Sequence, residues 1–198
     1  QYGVDNEYDR QRLHKQTELM LQLEKALING IEYNNGTKRF MRGIRSFITT
    51  NVIDGSGAAD VAEAINDGLE KIYVAGGFQE SAARYVVMVP AKQKRKISAL
   101  GKDQVRYEVS DNVLGRAVDM LITDFGEYPV VLNNNLKQDE VFIMDINRIA
   151  IRPLGSRSFA HEFMGRKGDY IQGQILGEYT LEFRQEKAHA RIKGLPTA

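Results

Sequence analysis

The sequence predicts an α+β fold, with helices in the first half and strands through most of the second. Three observations predict it. Residues 5–29 contain neither Gly nor Pro and are rich in Leu, Gln, Glu and Lys, side chains that lose little rotamer freedom in a helix. Val61, Ile65, Leu69 and Ile72 recur at spacings of four and three, which lines them along one helical face. From Gly115 onward, short runs rich in Val, Ile and Leu are separated by turn residues, the pattern of strands.

The first helix, Asp5 to Asn29, would be about 37 Å long at the standard rise per residue. Gly30 follows where a C′ glycine ends a helix. Leu13, Met20, Leu23 and Leu27 fall at heptad-like spacings and predict one buried stripe. Between Asp9 and Gln16 only Leu13 is apolar. That half of the helix is either a solvated face with ion pairs such as Glu18 with Lys25, or a projection along a surface or toward a partner.

Asn34-Asn35-Gly36 signals a turn. Phe40 to Val52 mixes Ile44, Phe47 and Ile48 with basic residues and reads as a buried irregular or strand segment. Asp54-Gly55-Ser56-Gly57 reads as a loop. A second helix follows from about Ala58 to Ala75, and Gly76-Gly77 stops it. Tyr85 to Val89 is a continuous apolar run, as in a strand covered on both faces. Pro90 opens a third helix, where its missing N–H costs little, running to about Leu100. Strands are then expected around Val118, Met120 and Ile122, at Val130 to Leu132, at Val141 to Met144 and at Ile149 to Ile151, with a turn at Asn133-Asn134-Asn135. Tyr179, Leu181 and Phe183 alternate with Thr180, Glu182 and Arg184, so that strand has one buried and one wet face. Asp103 to Gly115 and Ser156 to Asp169 read as variable loops.

Composition narrows the class. The 198 residues suffice for one substantial domain or two small ones with an intertwined core. At 42% hydrophobic and 27% charged residues, the chain falls outside the disordered and collagen-like classes. No run approaches the roughly 18 apolar residues of a membrane span. The absence of cysteine excludes disulfides and thiolate metal sites and fits a reducing cytosolic origin. A net charge of +1 argues against a dedicated nucleic-acid binder. The start without Met is what a trimmed chain would show.

The candidate chemistry has structural explanations. Gly55-Ser56-Gly57 before a helix invites a phosphate-binding reading, but it lacks the spacing of dinucleotide and P-loop motifs. Ser56 or Asp60 as a helix cap explains the segment better. Asp60, Glu63, Asp67 and Glu70 lie at helical spacings, as on a solvated face. His14, His161 and His189 stand at no spacing that would hold zinc, so each is expected to be packed or capped. Lys92, Lys94, Arg95 and Lys96 carry no interleaved aromatics and read as a solvated helix face. No catalytic, cofactor-binding or metal-ligating residue is therefore assigned.

Segment order carries more information than any motif. Leu23-Glu24-Lys25-Ala26-Leu27-Ile28-Asn29-Gly30 is followed by Phe40-Met41-Arg42-Gly43-Ile44 and by Phe47-Ile48-Thr49-Thr50-Asn51. Then come Ile72-Tyr73-Val74-Ala75-Gly76-Gly77, Val86 to Pro90, Thr123-Asp124-Phe125-Gly126 and Ile151-Arg152-Pro153. Last is the run from Glu178 to His189, EYTLEFRQEKAH. Taken together, these resemble the major head proteins of tailed bacteriophages of the SU-ten type, which adopt the Hong Kong 97-like capsid fold. The likeness runs in order from about Glu24 to Ile192.

The resemblance implies a long spine helix with a peripheral domain over 1–54, an axial domain over 55–146, and return strands shared between them over 147–198. The family's amino-terminal arm and extended loop precede the spine helix, so this chain is expected to lack both and to be a monomer or weak oligomer in isolation. It further implies a structural, non-enzymatic major capsid protein of the virion, assembled in the bacterial host cytoplasm. Its partners would be copies of itself, with packaged DNA touched loosely and without specificity, and no membrane or cofactor is implied. Two alternatives stand beside it: an encapsulin-like compartment shell, which predicts a peptide-docking groove on its inner face, and an unrelated α+β enzyme or binding module, which predicts a pocket of convergent polar groups.

Overall fold

The structure is a computed structural model that describes residues 7–57, 60–79, 84–100, 119–155 and 157–197. Helix α1 covers Glu7–Asn29, and a hairpin of β1 (Tyr33–Asn34) and β2 (Arg39–Phe40) follows it. One helical turn, α2 (Ile44–Phe47), leads to β3 (Val52–Asp54) and to helix α3 (Val61–Val74). Strand β4 (Tyr85–Val89) is followed directly by helix α4 (Ala91–Leu100). Strands β5 (Asp119–Thr123), β6 (Gly126–Leu132), β7 (Val141–Asp145), β8 (Ile149–Pro153), β9 (Ala160–Lys167), β10 (Tyr170–Leu176), β11 (Tyr179–Phe183) and β12 (Ala190–Lys193) complete the chain.

The α+β expectation holds, and each expected helix is present. Gly76, at φ 77°, takes the left-handed turn that ends α3. Two readings are corrected. Ile44 to Phe47, expected to be irregular or extended, forms a turn of helix, because Ile44, Phe47 and Ile48 are three and four residues apart and Ile48 N–H donates to the Ile44 carbonyl (3.2 Å). The segment 156–169, expected as a loop, contains all of β9. Its strand is exposed on nearly every residue, so burial imposes no alternation on its sequence. The expectations at Ala58, Val118 and 103–115 lie outside the described residues.

The chain divides into two compact units, one of residues 44–150 with 183–198, the other of residues 1–43 with 151–182. The first is built on a six-stranded mixed sheet in the order β3-β12-β7-β4-β6-β5. Strands β3 and β12 run parallel, as do β4 and β6, while β7 is antiparallel to both of its neighbours. The central strands are buried on both faces: β7 is covered along all five residues, and Met88 alone in β4 is partly exposed. That is why both read as unbroken apolar runs. Val61, Ile65, Leu69 and Ile72 of α3 close one face together with Val87, Val89, Ile143 and Ile192. Each such side chain contributes about 2 kcal/mol by leaving water.

In the second unit, α1 ends against residues 41–43. Gly43 N–H donates to the Gly30 carbonyl (2.9 Å), and Gly30 N–H to that of Ala26 (2.8 Å). A Cβ on Gly30 would lie 2.5 Å from both the Ala26 and Met41 carbonyl oxygens, so the crossing requires glycine. Strands β9 and β10 form an antiparallel hairpin with a bulge at Gln172/Gly173. Strands β8 and β11 pair with each other, braced by the Arg152–Glu182 and Arg157–Glu178 ion pairs (2.5 and 2.8 Å).

Candidate assembly surface

Burial separates the two units sharply. Among the described residues, the buried apolar ones that belong to the unit carrying α1 are Ile28 and Leu181, and the members of the main core cluster belong to the sheet unit. The α1 unit instead displays large apolar side chains to solvent. These include Leu13, Met20 and Leu21 on α1, Ile31, Tyr33 and Phe40 around the first hairpin, and Phe163, Met164, Tyr170, Ile171 and Leu176 on the second. Most are about half exposed, and Ile31 reaches 78%. So many exposed apolar side chains in one small unit make this the candidate surface for contact with other chains.

Local contacts order this surface. Tyr8 of α1 meets the β9–β10 hairpin, its hydroxyl 2.7 Å from His161 Nε2 and its ring edge-on to Phe163. Tyr33 and Phe40, paired across β1 and β2, hold their rings 5.8 Å apart. An open groove of about 870 Å³ runs along α1 with Leu19, Ile171 and Ile175 among its apolar lining and Arg12, Lys15, Glu18 and Asp169 among its charged lining. The stripe predicted as buried is thus half open: Leu23 and Leu27 are partly covered, but Leu13 and Met20 are more than half exposed among the described residues. Glu18 pairs with Lys15 (2.7 Å) and not with Lys25, since a spacing of seven residues is two full turns, beyond side-chain reach.

The sheet unit uses its buried polar groups structurally. Glu140, 2% exposed, holds Arg45 (2.8 Å) and Arg191 (2.5 Å), tying α2 and β12 to the start of β7. Asp145 accepts from the backbone N–H of Arg84 and of Asn147 and lies 3.5 Å from Arg148 Nε. His189 is fully buried. Its Nδ1 accepts the Asp145 N–H (3.2 Å), so Nε2 carries the proton and faces the Arg184 carbonyl (3.2 Å). Burial pushes this imidazole down to about 4. Glu186 receives the N–H groups of Thr49 and Thr50 (2.7 and 2.6 Å) and the Thr50 hydroxyl (2.7 Å). Burial raises its carboxyl, but the bonds from Thr50 and Thr49 together hold it below the usual range. The Asn51 amide donates to the Lys187 and His189 carbonyls. The Thr49-Thr50-Asn51 motif and the Glu186-to-His189 motif are therefore two halves of one knot.

Asp60, Glu63, Asp67 and Glu70 are all exposed on or beside α3, as a solvated face requires. Asp60 occupies the N-cap position without a side-chain cap bond, and Ser56 sits in a turn where its N–H donates to Asp54. Neither residue caps the helix through its side chain as expected. His161 is held by Tyr8, whereas His14 is exposed and not packed. Lys92 and Lys96 are not simply solvated: their ammonium groups donate to the Thr197 and Pro196 carbonyls (2.8 and 2.7 Å) and pin the last residues to α4. Among the described residues, no group of three or more His, Asp or Glu could hold a metal ion, and no helix is long and apolar enough to cross a membrane. Sequence reasoning missed the exposed hairpin. Its one signal was Gly168-Asp169, a two-residue turn with Gly168 at φ 66°.

The sequence matches the SU10 major capsid protein family over residues 1–196. No curated protein is a significant sequence match. Among solved structures, the whole chain aligns with the holo-SrpI encapsulin of Synechococcus elongatus PCC 7942, with a TM-score of 0.68 and 14% identity over 69% of that chain. It aligns over 98% of its length with the procapsid of satellite phage P4 that includes the size determination protein, with a TM-score of 0.64 and 13% identity over 65% of that chain. A native GTA particle capsid gives 0.60 and 11% identity, over 98% of this chain and 68% of that one. The chain thus spans about two thirds of these proteins, and the likeness shows a shared Hong Kong 97-like capsid fold. By its family match from end to end, this chain belongs to the SU10 major capsid protein family.

Proposed function

We propose that the chain is a head-shell subunit of a tailed bacteriophage or prophage, many copies of which close an icosahedral shell around DNA. The observation that carries this reading is the division of labour in burial. The sheet unit holds the core, while the α1 unit exposes its large apolar side chains for other copies to cover. The α1 unit then acts as the peripheral domain and the sheet unit as the axial domain. Its role is structural, without catalysis of its own, since the buried polar groups at Glu140, Asp145 and His189 are spent on holding strands and turns together. Packaged DNA is touched loosely, as suits a near-neutral chain. The protein resides in the virion and assembles in the host cytoplasm.

Mass spectrometry of virions induced from a host carrying this gene tests the reading. The sequence should be among the most abundant proteins of the heads, and its absence from intact heads would sink the proposal. The likeness to an encapsulin supports a second reading, a cellular compartment with a protein cargo. Nuclease-protected DNA inside the particles decides for the phage head, and an enclosed enzyme decides for the compartment.

A further inference from the structure

The outer face of α1 carries an order of side chains that complements itself when two such helices run antiparallel. Leu13 (59% exposed), Met20 (54%) and Leu21 (60%) stand in solvent on that face. They are arranged about Thr17, itself exposed. Leu13 lies four residues before it and Met20 and Leu21 lie three and four after it, while Arg10 and Glu24 lie seven before and seven after. A two-fold axis through Thr17, perpendicular to the helix, therefore sets Leu13 against the partner's Met20 and Leu21 against the partner's His14. It also brings Arg10 opposite the partner's Glu24. A parallel, in-register pair would instead face Arg10 with the partner's Arg10 and Glu24 with the partner's Glu24. The short Thr17 at the centre suits the interaxial distance of about 8–10 Å at which helices pack.

We propose that α1 forms an isologous, antiparallel contact with α1 of a second copy of this chain, a two-fold joint of the shell. This rests on the shell reading and names the surface and symmetry of one of its contacts. In an isologous contact each pair occurs twice, so the two Arg10–Glu24 pairs at the ends set direction and register. Arg10 also binds Glu7 of its own helix (2.7 Å), which holds the guanidinium in place on the surface. The apolar area on three side chains is well below the roughly 800 Å² per partner of a stable interface. The joint is therefore weak alone and acts when repeated through a lattice.

The lack of cysteine makes single-cysteine trapping clean. Thr17→Cys places a thiol on the axis, where its own counterpart comes within the Cα separation of about 7 Å that a disulfide needs. Gln22→Cys, on the groove side of the helix, is the control. Under mild oxidation of the concentrated full chain, Thr17→Cys should give a covalent dimer and Gln22→Cys should stay monomeric. Adding Arg10→Glu should reduce the dimer several-fold, and adding Glu24→Arg to that variant should restore it. No dimer from Thr17→Cys, equal dimer from both cysteines, or failure of the double charge swap to restore trapping would each overturn the joint. Electron microscopy of the same samples reads particle formation separately. Particles without the Thr17→Cys cross-link overturn the joint and leave the shell reading standing, whereas cross-linked dimers in a protein never found in particles support the joint and count against the shell.

Discussion

At the scale of single residues, the buried polar groups are where pH and mutation act most strongly. His189 is held neutral, with its folded pKa lowered from 6.5 to about 4. The unfolded chain binds a proton as pH falls through 6.5, but the folded chain does not until about 4. Stability is therefore full above 6.5, falls across that window and levels off below it, with a total loss of about 3 kcal/mol. Glu186, with its carboxyl lowered by Thr49 and Thr50, loses its contribution in the same direction, as pH falls from the usual carboxylate range through its own depressed value. Urea unfolding at pH 7, 5.5 and 4 should show this slope. His189→Leu should flatten it between 6.5 and 4, while starting less stable at pH 7 because the Asp145 N–H loses its acceptor. A slope unchanged in His189→Leu would remove His189 from the account. Glu140 gives a second residue-scale outcome. Glu140→Ala strands Arg45 and Arg191, both less than one-fifth exposed, and should cost about 3–5 kcal/mol in chemical denaturation. Replacing all three residues with apolar ones should cost far less than that.

At the scale of elements, the crossing of α1 with residues 41–43 leaves no room for a side chain at either glycine, Gly30 or Gly43. A Cβ on Gly43 would meet Gly30 N and lie 2.9 and 3.0 Å from the Ala26 and Ile28 carbonyl oxygens. All of these are backbone atoms that cannot step aside. Gly43→Ala should therefore destabilise the protein by about 2–3 kcal/mol, and hydrogen exchange should show the loss concentrated in the last turns of α1. Exchange that rises evenly over the chain would argue against this local cause. The same crossing shows what was legible beforehand. The motifs ending at Gly30 and Gly43 were visible in order, and their contact explains both glycines, yet nothing local to either segment announced that they touch. Helix α3 was legible because packing on one face writes its period into the side chains, β4 and β7 because cover on both faces leaves apolar runs, and α4 because Pro90 marks its start. Strand β9 was not, because a strand exposed along almost its whole length leaves no period to read.

At the scale of the whole molecule, the segment order of the sequence disclosed the fold and the kind of protein, but not the surface through which it works. Solvent exposure is decided by which elements happen to cover one another. Leu13 and Met20 have the spacing of core residues and differ from true core positions only in what lies above them. Exposed apolar side chains of this kind separate folding from assembly. Met164 and Leu176 are about half exposed on the β9–β10 hairpin, outside the core cluster of the sheet unit. Replacing either with Asp touches no member of that core cluster and removes only a half-covered side chain, so its unfolding free energy should stay within about 1 kcal/mol of the parent. In a lattice the same carboxylate would be buried against a neighbouring copy without a partner, a cost of several kcal/mol per ion repeated at every equivalent contact. Met164→Asp and Leu176→Asp should therefore fold normally and fail to enter heads when supplied in place of the natural chain. A core change such as Ile143→Asp should instead abolish folding itself. Thermal melts together with sedimentation of lysates separate the two outcomes. Heads assembling normally from Met164→Asp and Leu176→Asp would show that this hairpin face stays in solvent, and the assembly surface would then have to be sought on α1 and the first hairpin.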